Sequence, residues 1–186
     1  MSTQYKFADP DGLYFVTFSV VGWIDVFTRK VYKDLLLDCL RHCINQKGLV
    51  LYGYVIMSNH VHLIISRNGT ATLPEIMRDL KKYSSYRIIQ EIKENTQESR
   101  RKWLLHLFAK AGQANSNNTN YQFWQQDNHP IGLHPNTDEL ERKLSYIHLN
   151  PVRAGLVSAA SAYLYSSAGN YEHMESVLPE VTLYQI

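Results

Sequence analysis

Tyr54-Val55-Ile56-Met57-Ser58-Asn59-His60-Val61-His62-Leu63-Ile64-Ile65 is the stretch whose reading decides the fold. Two apolar, β-branched runs flank Ser58-Asn59, a pair of turn-forming residues, so the stretch reads as a β-hairpin. Side chains alternate faces along a strand. His60 and His62 therefore share one face, while Val61, Leu63 and Ile65 point the other way, into a core. Two neighbouring imidazoles pack poorly on each other but make a good ligand pair for one divalent ion.

Working outward, residues 13–21 are β-branched and aromatic between Asp11-Gly12 and Gly22, and read as a central strand. Leu36, Leu40, Cys43 and Ile44 recur at helical spacing over residues 30–46, and Lys47-Gly48 closes that helix. Residues 49–57 and 60–66 are the hairpin strands. Thr72-Leu73-Pro74-Glu75 is a capping box with a proline in the first turn, opening a helix that reaches about Glu94. A shorter helix is expected over 99–110, then a mobile loop over about 111–120. Residues 121–126 are expected to form a fourth strand or strand-like segment ending near Ile131. The last long helix is expected to be capped by Asn136 or Thr137 and to stop at Asn150, because Pro151 disfavours helical geometry before it. The order of elements is that of an α+β ferredoxin-like sandwich, an antiparallel sheet with helices packed on it. The expected organisation is one catalytic domain over 1–170 and a C-terminal tail over 171–186.

At 186 residues, 45% hydrophobic and 19% charged, the chain can bury one sizeable core. It carries no apolar run long enough to span a membrane and no signal-peptide pattern. Cys39 and Cys43 lie four apart in a helical pattern, which suits packing rather than a disulfide or a zinc site and agrees with a cytoplasmic location. The net charge of +2 says little, but its distribution says more. Between Arg78 and Lys110 nine Lys/Arg (78, 81, 82, 87, 93, 100, 101, 102, 110) face four Asp/Glu (79, 91, 94, 98), with Tyr83, Tyr86 and Trp103 interleaved. That mixture suits a phosphate backbone with bases stacked on rings, and equally a solvated helix face.

Familiar H-x-H chemistries fail on particular residues. A histidine-triad nucleotide hydrolase wants a third histidine at Ile64. A metallo-β-lactamase-like hydrolase wants Asp and His at Ile64 and Ile65. A cupin wants a glutamate near Ser66-Arg67. The late helix offers Tyr146 and Asn150, one turn apart on one flank of a stripe made by Leu140, Leu144 and Ile147, with Lys143 close by. From there Tyr146 can present its hydroxyl to a metal site on the sheet. Asn150 can add an oxygen ligand, moving the preference from zinc toward Mg²⁺ or Mn²⁺.

With these pieces together the chain resembles the single-tyrosine transposases of the HUH superfamily, and within them the REP-associated tyrosine transposases. The resemblance runs from about Leu13 to Ser167. It rests on Tyr54 to Leu63, on Ile76-Met77-Arg78-Asp79-Leu80-Lys81, on Phe123-Trp124-Gln125, on Tyr146 to Leu156 (YIHLNPVRAGL) and on Tyr165-Ser166-Ser167. It implies a metal-dependent enzyme that cuts and rejoins hairpin-bearing single-stranded DNA through a 5′-phosphotyrosine intermediate. Tyr146 matches the nucleophile. His60, His62 and Asn150 match the ligands of Mg²⁺ or Mn²⁺. Arg78, Lys81, Lys82, Lys143 and Arg153 are candidate DNA contacts, and a homodimer is compatible with the resemblance. The rival expectation is a domesticated relative that keeps the fold and binds single-stranded nucleic acid without cutting it.

Overall fold

Four strands form one antiparallel sheet in the order β2-β3-β1-β4, where β1 is Leu13–Ser19, β2 Leu49–Ile56, β3 His60–Arg67 and β4 Ile131–Leu133. The computed structural model of the chain describes residues 7–115, 120–126, 129–134 and 138–184. Its helices are α1 (Lys30–Lys47), α2 (Leu73–Glu94), α3 (Arg101–Gln113), α4 (Glu139–Arg153) and the single turn α5 (Ala168–Tyr171). The strand order and the succession of elements are those of the expected ferredoxin-like α+β sandwich.

The hairpin turns where Ser58-Asn59 predicts it. Met57 N–H donates to the His60 carbonyl at 2.9 Å, and Ile56 pairs with Val61. Alternation then sorts the sheet into two faces. Tyr14, Val16, Phe18, Leu51, Tyr54, Ile56, Val61, Leu63 and Ile65 pack in one core with residues of α1 and α2. Phe15, Val55, Met57 and Ile64 pack on the other side with Leu140, Leu144 and Ile147 of α4. The sheet is thus covered on both faces, and the histidines lie on the face that carries α4.

Local sequence explains the boundaries. Gly48 adopts φ +71° and donates its N–H to the Cys43 carbonyl, the left-handed cap that ends α1. Thr72 and Glu75 form both halves of the capping box at α2. Cys39 and Cys43 are free and buried, and burial pushes their thiols up to about 12 and about 11, which leaves them as packing residues.

The structure corrects three boundaries. Residues 121–126 do not form a ladder strand. A single bridge joins Val20 to Trp124, and Gln125 N–H donates to the Ser19 carbonyl; β4 is the later segment 131–133, paired with the start of β1. Trp124 and Phe123 are aromatic because they pack beside Phe27 and Phe18, not because they sit in a ladder. Secondly, α4 does not stop at Asn150 but runs to Arg153. Proline removes one intrahelical hydrogen bond near the helix end, and Pro151 is buried, so packing outweighs that loss. Thirdly, α3 extends to Gln113, three residues into the segment read as a loop; residues 116–119 of that segment lie outside the described residues, as do the expected caps Asn136 and Thr137.

The C-terminal residues close the β2 edge of the sheet. Ile56 N–H donates to the Tyr165 carbonyl, Ser167 N–H to the Tyr54 carbonyl, and Thr182 N–H to the Leu51 carbonyl. Leu178 and Val181 belong to the main core, and Arg41 binds both the Glu180 carboxylate and the Val177 carbonyl. An edge strand left bare would invite pairing with other chains. Among the described residues no helix is long and apolar enough to cross a membrane.

One close approach sets the height of α4 above the sheet. A Cβ at Gly53 would stand 2.8 Å from Leu144 Cδ2. Gly53→Ala pushes only against the end of a flexible side chain, but Gly53→Val overpacks the layer. The expected cost of the valine is about 1–3 kcal/mol, read as a lower midpoint in urea unfolding.

Candidate active site

The two histidines are neighbours on β3, with ring centroids 4.9 Å apart. Each has its Nδ1 held by an oxygen. Thr17 lies directly opposite His62 in the β1–β3 ladder, and its hydroxyl is 2.7 Å from His62 Nδ1. Asn59 Oδ1 is 2.8 Å from His60 Nδ1. The Asn59 amide nitrogen donates to the Trp23 carbonyl and to Asp25 Oδ1, both acceptors. That fixes which way the amide faces, so His60 Nδ1 carries the proton and its Nε2 keeps a lone pair.

His62 is 5% exposed, and its Nε2 is buried with no hydrogen-bond partner. Burial, then the neighbouring His60 and Lys143, push its pKa down to about 3. Burial also lowers that of His60, against the opposing pull of Asp25. Both rings are therefore neutral at pH 7, the form that ligates a metal. Two imidazoles on one face, with their outer nitrogens oriented and one of them orphaned, fit the residues of a divalent-cation site. Among the described residues no cluster of three or more His, Cys, Asp or Glu exists.

Tyr146 comes to this pair from α4. Its ring packs edge-on to His62 at 5.3 Å and to Phe15 at 6.0 Å, while 39% of the residue stays exposed. Lys143 Nζ lies 4.5 Å from the Phe15 ring centre and 5.9 Å from that of Tyr146; the Arg153 guanidinium is 5.8 Å from the Tyr146 ring. Beyond Tyr146, towards β4, an open groove of ≈ 390 Å³ is lined by Ile131, Leu133, Glu139, Arg142 and Lys143 among others. Asn150 is half-buried one turn after Tyr146 on the same flank; no hydrogen bond joins it to either histidine.

The remaining candidates are dispersed. Arg78 is exposed and paired with Asp79 on α2, in the layer across the sheet from the histidines. Lys82 is exposed on the same helix. Lys81 Nζ donates to the Gln125 and Gln126 carbonyls, tying α2 to the segment beside β1. Tyr83, Tyr86 and Trp103 are all exposed on α2 and α3, away from the histidine face. His148, on the other flank of α4, is a packing residue: its Nε2 is 2.9 Å from Ser167 Oγ, and burial lowers its pKa to about 4 despite Glu172.

Sequence reasoning missed the loop beneath His60. Gly22 and Trp23 both take positive φ (65° and 55°), and Trp23 lies edge-on to His60 at 6.1 Å. A bulky residue in this region is a genuine outlier and costs about 1–3 kcal/mol. Asp25 anchors the loop through Asn59. Arg100 donates to the Asp25 carbonyl and, with Arg29 and Tyr32, holds the buried carboxylate of Glu98. Burial alone raises the Glu98 pKa, but hydrogen bonds and charge from Arg100, with Tyr32, outweigh it and bring it down to about 2. A carboxyl held below its unfolded value of 4.5 contributes stability that is complete above pH 4.5 and is lost as pH falls toward 2. Thermal unfolding between those pH values is expected to fall more steeply for the wild type than for Glu98→Gln, which has no proton to take up.

The sequence and the fold have counterparts among known proteins. The family model described as "Transposase IS200 like" matches residues 16–126, more than half of the chain. A solved structure of a REP-associated tyrosine transposase bound to a REP hairpin is 16% identical, with a TM-score of 0.63 over 91% of this chain and 84% of that one; at that identity the likeness is one of fold. A transposase candidate from Deinococcus radiodurans R1 is 18% identical, with a TM-score of 0.47 over 78% of this chain and 95% of that one. No curated protein matches the chain. The family match covers the β1–α1–β2–β3 unit and the H-x-H strand, and the chain belongs to the IS200-like transposase family.

Proposed function

We propose that this transposase cuts and rejoins hairpin-bearing single-stranded DNA, with Tyr146 as the nucleophile. The observation that carries the reading is the packing of Tyr146 against His62 at 5.3 Å, which joins a helix late in the chain to the histidine face of β3. Hairpin DNA is supported by fold likeness to a transposase solved with a REP hairpin.

In the proposed step a bond forms between the Tyr146 hydroxyl oxygen and the scissile phosphorus as the bond from phosphorus to the 3′ oxygen breaks. The phenolic proton ends on the departing oxygen, giving a free 3′-OH and a 5′-phosphotyrosine link. Attack by another 3′-OH reverses the step, so rejoining needs no external energy source. His60 and His62, with Asn150 as the oxygen ligand, would hold Mg²⁺ or Mn²⁺, which when bound polarises the phosphate and offsets its developing charge. Asn59 and Thr17 keep the two imidazoles oriented. Lys143 and Arg153 bring positive charge beside the Tyr146 ring and are the proposed DNA contacts there. Arg78, Lys81 and Lys82 are proposed contacts for DNA passing the α2 side.

The test is incubation with labelled single-stranded hairpins plus Mg²⁺ or Mn²⁺, followed by a denaturing gel. A DNA-bearing protein band supports the reading. Cleaved DNA without that band points to hydrolysis with no covalent step, and binding without cleavage to the catalytically silent, domesticated alternative.

A further inference from the structure

Tyr146, His62, His60 and Trp23 form a run of neighbouring rings, with centroid separations of 5.3, 4.9 and 6.1 Å. Tyr146 meets the run at one end and Trp23 at the other. The Trp23 side of this run has no account in the fold. The residue is 58% exposed, so its ring gains little from burial. Its φ of +55° suits glycine or asparagine far better than an indole. Among the described residues the other non-glycine positions with positive φ are His129 and His173, a residue type that visits this region more readily.

The loop around it is nonetheless built firmly. Trp23 N–H donates to the Val20 carbonyl, and its own carbonyl accepts from Asn59, whose other end orients His60. Val26 and Phe27, just beyond, are fully buried. The chain thus holds an indole in a costly conformation, in solvent, beside one of the two histidines.

We propose that Trp23 is a stacking platform for one unpaired nucleobase, that of the nucleotide on the 5′ side of the scissile phosphate. Aromatic side chains bind single strands by stacking, whatever the base. The side follows from the displacement geometry. Attacking and leaving oxygens stand roughly in line across phosphorus. With Tyr146 attacking from one end of the ring run, the departing 3′ oxygen and its nucleotide lie toward the other, where Trp23 is. The placement rests on the proposed tyrosine chemistry; stacking of an unpaired base on Trp23 does not.

The experiment measures binding of an oligothymidylate single strand and of a duplex by fluorescence anisotropy, with EDTA present so that no metal contributes. Trp23→Asn removes the ring and keeps a residue that tolerates positive φ; Trp23→Phe keeps an aromatic face. Single-strand binding is expected to weaken about ten- to a hundredfold in Trp23→Asn and to recover in Trp23→Phe. Duplex binding is expected to stay unchanged, and the melting temperature of Trp23→Asn to hold or rise. A lowered melting temperature, or equal weakening for duplex, would make the ring structural and overturn the proposal. Unchanged single-strand affinity in Trp23→Asn would overturn it while leaving the phosphotyrosine reading intact. A wild type that binds no oligothymidylate would overturn the stacking proposal alone, since the phosphotyrosine reading concerns hairpin-bearing strands and is tested by the covalent band. Abasic substitution along a cleaved oligonucleotide then locates the base: the position whose loss weakens wild type but not Trp23→Asn is expected immediately 5′ of the cut. Any other position overturns the placement.

Discussion

Tyr146→Phe is expected to abolish the covalent protein–DNA band and to leave both fold and DNA binding in place. The ring makes the contacts that hold this residue: edge-on to His62 and Phe15, with Arg153 and Lys143 beside its face. Phenylalanine keeps all of them and removes only the hydroxyl. At a position 39% exposed, that change is expected to alter stability by no more than about 0.5 kcal/mol. The chemistry has no substitute. Removing a covalent nucleophile elsewhere costs on the order of 10⁶-fold in turnover, and here the adduct itself disappears. Adduct formation by the phenylalanine variant would show that another residue attacks, and the assignment of Tyr146 would fall.

His62→Leu is expected to separate stability from activity in opposite directions. In the metal-free protein His62 Nε2 is a buried polar atom with no hydrogen-bond partner, an arrangement that costs about 1–3 kcal/mol. Leucine fills similar space beside Phe15 and Ile64 without that penalty, though it releases the Thr17 hydroxyl. The variant should therefore unfold at equal or higher temperature in EDTA. Adding Mn²⁺ should reverse the order. A cation held at one hundred times its dissociation constant stabilises the wild type by about 2.7 kcal/mol, and the variant, lacking one imidazole, should not respond. Metal-dependent DNA cleavage should be lost with it. A wild-type melting temperature indifferent to Mn²⁺ and Mg²⁺, or an equal rise in both proteins, would place the cation somewhere other than this pair.

Much of this arrangement could be read from the chain itself. The hairpin, its two histidines on one face, the capping box at Thr72 and the glycine after Lys47 all depend on residues close in sequence, where strand alternation and capping chemistry act directly. Tyr146 was legible for the same reason: its flank position on α4 follows from helical spacing beside Leu144 and Ile147. Failures came where distant contacts decide. Phe123 and Trp124 have strand-like character, yet they pack beside Phe27 and Phe18 with only one bridge to the sheet. Pro151 continues α4 because its ring is buried. Thr17 partners His62 through strand register across 45 residues, which no local pattern encodes. Asn59 looked like a turn residue and is one, but its amide also reads the Trp23 loop, and Gly22-Trp23 gave no warning beyond a glycine before an indole.

Gly53 has no polar group and lies on β2, two strands away from β1 and its Thr17. Its missing Cβ nevertheless lets Leu144 approach, and Leu144 is two residues before Tyr146 on the same helix. The residue works as a shim: the thickness of side chain at this one position bears on the gap between the helix of Tyr146 and the histidine face. Reacting groups tolerate little error, since about 1 Å of misplacement can cost on the order of a hundredfold in rate. Side-chain volume at this one position in an apolar layer, with alanine yielding at Leu144 and valine pushing the helix away, thus offers a way to tune the site without altering any of its chemical groups.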